Sequence, residues 1–227
     1  MLISFSGFDG SGKTTQIQLL LKYFKSHGNN CCSIYDINPT IRYHDISDLK
    51  NIYQYFQNYD VIHARFRLNS DANNKIMNIL EYSNIPNVKL AKLAASQGYD
   101  DYTELYYYVI QPLLDANKII ISDRHYYDEI AFKTLYGCNY NDMIRLYSNV
   151  IQPSYAFYIE IDSHMAMQRN FCRPDGRTTL YRSINHIEKL KSIFDNLSST
   201  TNLVTINGNR PVDVIHSDII RILTPVN

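Results

Sequence analysis

Near the amino terminus, Gly7-Phe8-Asp9-Gly10-Ser11-Gly12-Lys13-Thr14 fits the pattern GxxxxGK[ST]. It follows a short apolar run and precedes a helical pattern, the context in which that pattern has physical meaning. Glycines at 7, 10 and 12 let the backbone turn its N–H groups inward around a phosphate, and the helix opening at Lys13 adds its positive end. Lys13 would reach the β- and γ-phosphates of a nucleotide, and the Thr14 hydroxyl would ligate Mg²⁺. Asp9, Ser11 and Thr15 complete the expected contacts to ATP. Such a loop specifies nucleotide binding more firmly than it specifies a reaction.

Other residues could supply the chemistry. Asp123 ends the run Ile119-Ile120-Ile121-Ser122, and open α/β sheets place ligand-contacting groups at strand carboxyl ends. It could hold a magnesium-bound water or accept from Thr14, or it could simply cap the next helix. Arg124 follows. Its planar fork suits an acceptor phosphate or the transferred group, and a structural salt bridge is the competing assignment. Arg169, Arg173 and Arg177 are spaced four apart, so a helix over 166–173 puts the first two on one face. Closing over ATP, such arginines would neutralise charge during phosphoryl transfer and exclude water; the alternative is a solvated basic face. Arg182 ranks below these three.

The elements that must position these groups are legible in the hydrophobic patterning. Strands are predicted at Leu2–Ser6, Cys31–Tyr35, Lys118–Ser122, Tyr155–Ile161 and Leu203–Asn207. Helices are predicted at 13–27, 102–116 with an interruption at Pro112, 129–135, 141–150, 183–197 and 211–223. Residues 45–58, 59–80 and 86–97 read as helical fragments. The polar, arginine-rich segment 170–183 contains Pro174 and Gly176 and reads as a mobile lid. Strands alternating with helices predict an α/β fold of the P-loop NTPase type, a parallel sheet with helices on both faces. One domain is expected over 1–227, with 40–100 as a helical acceptor-binding region.

Composition narrows the classes. Lys+Arg 22 balances Asp+Glu 22, which removes the strongest hint of a nucleic-acid surface. None of the four cysteines, Cys31, Cys32, Cys138 and Cys172, forms a CxxC pair, so free thiols in a reducing compartment are expected. The first residues read as a strand and not as a signal peptide, and no apolar run approaches membrane-spanning length; a cytoplasmic location is expected. An NKxD base-recognition motif of GTPases is absent from the sequence. Size, motifs and the arginine-rich late segment together point to a small-molecule kinase.

The stretch Phe5 to Gln16, then Ile110-Gln111-Pro112-Leu113-Leu114 and Ile121-Ser122-Asp123-Arg124-His125, with the arginines at 169, 173 and 177, resembles the thymidylate kinase family. Phe8, where some members carry a loop arginine, resembles the bacterial-type arrangement with its catalytic arginines in the lid. The resemblance implies transfer of the ATP γ-phosphate to dTMP with Mg²⁺, in a homodimer. It also implies acceptor contacts after the second strand and in the helix before Ile110. There the sequence departs from the family. Ile37-Asn38-Pro39 stands where an Arg-Glu-Pro is usual, so Asn38 can only hydrogen-bond and Asp36 is the candidate replacement carboxylate. The family's helix arginine falls on about Tyr102. Arg65 or Arg67 would replace it if 86–100 is an insertion, and Gly176 replaces the acid before the last lid arginine. These departures keep two alternatives open: a P-loop kinase for a nucleoside or another small acceptor, and a nucleotide-binding regulatory protein with weak turnover.

Overall fold

The computed structural model describes residues 1–35, 60–63, 76, 79–80, 87–171 and 183–224. Among the described residues six strands form one sheet: β1 (Leu2–Ser6), β2 (Cys31–Tyr35), β3 (Val61–His63), β4 (Ile119–Asp123), β5 (Tyr155–Glu160) and β6 (Leu203–Asn207). Their order is β3-β2-β4-β1-β5-β6, and the pairs are parallel throughout. A parallel sheet needs crossovers that cover its faces, which buries its strands on both sides. β1 shows the result, with all five residues buried.

Side chains alternate between the two faces, as strand geometry requires. Ile3, Phe5, Ile121, Phe157, Ile159 and Ile206 pack on one face with Ile17 and Leu20 of α1 (Lys13–Ser26). Val212–Leu223, a terminal helix, joins that layer through Ile215 and Ile219. On the other face, Leu2, Cys32, Ile34 and Ile120 meet Val109, Ile110 and Leu113. Further along that face, Ala156 and Tyr158 join Tyr127, Ile130, Phe194 and Leu197. Tyr158 stacks on Phe194 with centroids 4.6 Å apart. Helices therefore cover both faces, as predicted.

The long helical run over residues 88–115 differs from expectation. The two helices predicted at 86–97 and 102–116 are one continuous run: α2 (Val88–Leu105), a π-helical turn (Tyr106–Ile110) and α3 (Gln111–Asp115). Pro112 does not interrupt it. A proline lacks an N–H and crowds the carbonyl four residues back. Here it directly follows the wide turn, in which the Gln111 N–H bonds to the Tyr106 carbonyl five residues back. Such widening lets a helix pass its proline.

The helices that follow in the described residues are α4 (Tyr126–Leu135), α5 (Tyr140–Leu146), α6 (Ser163–Phe171), α7 (Ile184–Thr200) and α8 (Val212–Leu223). Three further expectations are corrected. Residues 61–63, within the predicted helical fragment 59–80, form edge strand β3 against β2, with Ser33 opposite Val61 and Tyr35 opposite His63. Helix α4 begins at Tyr126 and not at Glu129, because His125 is extended and the Asp128 carboxylate accepts its N–H at 3.4 Å, a helix-starting arrangement. Helix α5 stops at Leu146 and not at Val150, in a turn in which the Val150 N–H bonds to the Tyr147 carbonyl.

Candidate functional site

The site grows from the carboxyl ends of the central strands. Parallel register sets Asp123 level with Phe5 of β1 and Tyr35 of β2, so β1 and β4 deliver their next residues to one place. From β1 the chain enters the glycine turn. Gly7 has φ +134°, and a β-carbon there would stand 2.8 Å from the Ile159 carbonyl oxygen; only glycine fits where the chain leaves β1 beside β5. Gly12, at φ +95°, is the left-handed residue from which α1 starts. The amino end of α1 consequently faces the turn.

Lys13, the first residue of α1, is buried. Its ammonium donates to the Gly7 carbonyl at 2.9 Å and the Phe8 carbonyl at 2.7 Å. Burial lowers its pKa, the Arg124 guanidinium lowers it further, and Asp123, Asp9 and Asp128 oppose both. The Thr14 hydroxyl donates to Asp123 Oδ2 at 3.4 Å. The other oxygen, Asp123 Oδ1, is buried without a hydrogen-bond partner.

Arg124 sits at φ +74°, unusual for a non-glycine residue. Its N–H bonds to the Phe5 carbonyl at 2.8 Å, which ties β4 to β1. Its guanidinium reaches across the turn. Nη2 meets Asp9 Oδ1 at 2.6 Å, and Nη1 meets Asp128 Oδ1 at 2.8 Å and the Gly7 carbonyl at 3.3 Å. The guanidinium carbon lies over the Phe132 ring, 5.5 Å from its centre. The salt bridge left open by the sequence therefore exists, and it ends in the glycine turn itself. Asp128 was missed by sequence reasoning, although Arg124 and Asp128 stand at helix-pair spacing. Burial raises its pKa; Arg124 and Lys13 pull it down.

Arg169, on α6, donates to the Gly10 carbonyl at 3.2 Å. It thus reaches the glycine turn. A cleft of about 360 Å³ is lined by Asp9 through Gln16, Asp123, Arg124 and Arg169, together with Ile159, Gly208, Arg210, Val212 and Ile215. Of the sequence candidates, Asp9, Gly10, Ser11, Gly12, Lys13, Thr14, Thr15, Asp123, Arg124 and Arg169 share this cleft, and Gly7 anchors it. The apolar end and Arg210 were not foreseen. Arg210 lies in the short connection between β6 and α8, held by Asp218 at 2.6 Å, and nothing in its local sequence marked it. Gln16 donates to the Val212 carbonyl at 3.0 Å and ties α1 to the start of α8.

Tyr102 stands outside the cleft, edge-on to His125 with centroids 5.1 Å apart. Asp36, Asn38, Arg65, Arg67, Arg173, Arg177 and Arg182 lie outside the described residues, as does most of the segment 170–183 expected as a lid. Among the described residues no group of three or more His, Cys, Asp or Glu side chains could hold a metal ion. No described helix is long and apolar enough to cross a membrane.

A parallel α/β sheet with a cleft at the carboxyl ends of its strands, where a glycine turn leads into a helix, is the architecture of a ligand-binding α/β protein. Comparison with known proteins narrows that class. The family model described as thymidylate kinase matches residues 49–219, and the chain belongs to the thymidylate kinase family. At the level of that family it is a nucleotide kinase. Relatives extend the likeness through the glycine turn. A probable thymidylate kinase 2 of Saccharolobus solfataricus is 24% identical over 98% of this chain and 95% of its own length. A thymidylate kinase of Wolbachia pipientis is 27% identical over 98% and 95%. A probable thymidylate kinase of Pyrococcus horikoshii is 25% identical over 97% and 94%.

Proposed function

We propose that the protein transfers the γ-phosphoryl group of ATP to a nucleoside monophosphate, dTMP being converted to dTDP. The observation that carries this reading is the convergence of Lys13, Asp123, Arg124 and Arg169 on one glycine turn, in a chain of this family. The reading makes residues 7–12 a phosphate-binding loop and 170–183 a lid. Loop N–H groups and the amino end of α1 would hold the β- and γ-phosphates, and Lys13 would exchange its loop carbonyls for phosphate oxygens. Ile159, Gly208, Val212 and Ile215 would carry the apolar part of the nucleotide.

The donor set suits Mg²⁺. That ion is usually held by one or two protein oxygens, with phosphates and waters completing its shell. Thr14 with the unpartnered Asp123 Oδ1 meets that description, and a three-ligand protein cluster is not needed. Bound there, Mg²⁺ would neutralise phosphate charge and orient the β- and γ-oxygens. Arg124 would meet the acceptor phosphate. Arg169, Arg173 and Arg177 would balance charge on the transferred group while the lid excluded water. Little covalent chemistry is asked of the protein; alignment and electrostatics carry the step. Asp36, Asn38, Arg65 and Tyr102 are the proposed acceptor contacts, and the proposed assembly is a homodimer.

One specific observation favours a second reading, a kinase for a different small acceptor. Asn38 stands where the family usually has the acid of Arg-Glu-Pro, and acceptor-side groups change when the acceptor changes. Both readings are tested by ADP release from ATP·Mg²⁺ across nucleoside monophosphates and nucleosides, with Lys13→Ala as the blank. Turnover confined to dTMP supports the first reading, and turnover confined to another acceptor replaces it with the second. No turnover on any acceptor overturns the kinase reading of this panel.

A further inference from the structure

We propose that Asp128 is the positioning residue that presets Arg124 for phosphoryl transfer. The inference rests on the reading of the cleft as a phosphoryl-transfer site. One carboxylate here joins three pieces of backbone and side chain. Asp128 Oδ1 accepts from the Gly7 N–H at 3.4 Å and from Arg124 Nη1 at 2.8 Å, while Oδ2 accepts from the His125 N–H at 3.4 Å. It therefore fastens the first residue of the glycine turn, the guanidinium and the start of α4 to each other.

The two carboxylates that flank Arg124 are not equivalent. The Asp9 side chain is 21% exposed and sits on the turn, whereas that of Asp128 is 4% exposed and grows from a packed helix. An ion pair shielded from water is the stronger and the less screened of the two. The helix holding Asp128 is rigid by packing, with Tyr127, Ile130 and Ala131 all buried in the core. Asp128 is thus the fixed anchor, and Asp9 the partner that brings the turn to the same fork. A carboxylate buried this deeply opposes folding unless its charge is matched. Burial raises its pKa on balance, and Arg124 and Lys13 offset part of that cost, so the burial of Asp128 is linked to the placement of the two cations of the site. A guanidinium held in place before substrates arrive has no reorganisation to complete during transfer.

The test compares Asp128→Asn, Arg124→Lys and the double variant. Asparagine keeps the volume but replaces one acceptor oxygen by a donor, so it cannot serve Arg124 and the His125 N–H together. Asp128→Asn is expected to lower kcat by about 10- to 100-fold, with the calorimetric Kd for ADP within about 2-fold of wild type. In the Arg124→Lys background, where the fork is already lost, the same substitution should cost less than about 3-fold. Costs that multiply in full, or an unchanged kcat, overturn the proposal; so does loss of ADP binding in step with kcat, which marks a merely structural residue.

Should Asp128→Asn fail to fold, the wild-type protein without ligands still decides. Nuclear magnetic resonance of the arginine side chains is expected to show restricted rotation of the Arg124 guanidinium, assigned by its loss in Arg124→Lys. A freely rotating group overturns the proposal. This readout needs no turnover, so it separates failure of the preset arginine from failure of the kinase reading.

Discussion

Acid should destabilise this fold through one histidine, and the sign and size follow from its surroundings. His125 follows Arg124 and is wholly buried, with neither ring nitrogen hydrogen-bonded. Tyr102, Tyr126 and Tyr127 surround the ring. Burial pushes its pKa from 6.5 down to about 3. Between those values the unfolded chain holds a proton that the folded protein refuses. Stability from this group is therefore full above pH 6.5 and falls as pH drops toward 3. At about 1.36 kcal/mol per pH unit, the loss between pH 7 and pH 5 is about 2 kcal/mol. Asp128 works the other way, because its raised pKa makes the folded state bind its proton more readily than the unfolded chain does. A subtraction removes that contribution. His125→Phe keeps a ring among the tyrosines and deletes two unpartnered nitrogens, so the variant should match or exceed wild type at pH 7. Urea melts of both proteins at pH 7, 6 and 5 measure the difference. Wild type should lose about 2 kcal/mol more than His125→Phe by pH 5. Parallel pH profiles would refute the reasoning, since they would mean that the imidazole is solvated or paired.

Gly7→Ala should cost about 1–3 kcal/mol in backbone strain alone, because φ is +134° and the new carbon meets the Ile159 carbonyl oxygen at 2.8 Å. A urea melt reads that loss, and ADP affinity measured on the folded fraction should fall with it. Asp123→Asn should raise the Mg²⁺ concentration for half-maximal turnover at least about tenfold, by removing the charge beside the unpartnered Oδ1; an unchanged magnesium titration would refute that assignment.

The fold was legible where one physical signal dominates. β1, β2 and β6 lie where their apolar runs put them, and α1 begins at Lys13 because Gly12 lets the chain turn into it. β3 was not legible. Three residues, Val61-Ile62-His63, carry too little alternation to announce a strand, and only pairing with an already formed β2 makes them one. Pro112 misled for the opposite reason, because a rule that holds for a regular helix is relaxed by a π-helical turn that no local signal announces.

The site divides along the same line. Its motif residues could be named from spacing, since a glycine turn and a strand-end aspartate act through local geometry. Asp128 could not be reached that way. Its contacts require α4 to start at Tyr126, and that start itself depends on Asp128 accepting the His125 N–H. Once the start is known, Arg124 and Asp128 are an i, i+4 pair and the bridge is plain. Arg210 and the Gln16–Val212 tie belong to another class, because they join residues far apart in sequence through the order of strands. They become visible only when β5 and β6 are laid beside β1. Arg124 was named from the sequence as a candidate with a structural salt bridge as its alternative, and the salt bridges to Asp9 and Asp128 are present. Its fastening to the glycine turn depends on β4 lying beside β1, which no local sequence signal announces.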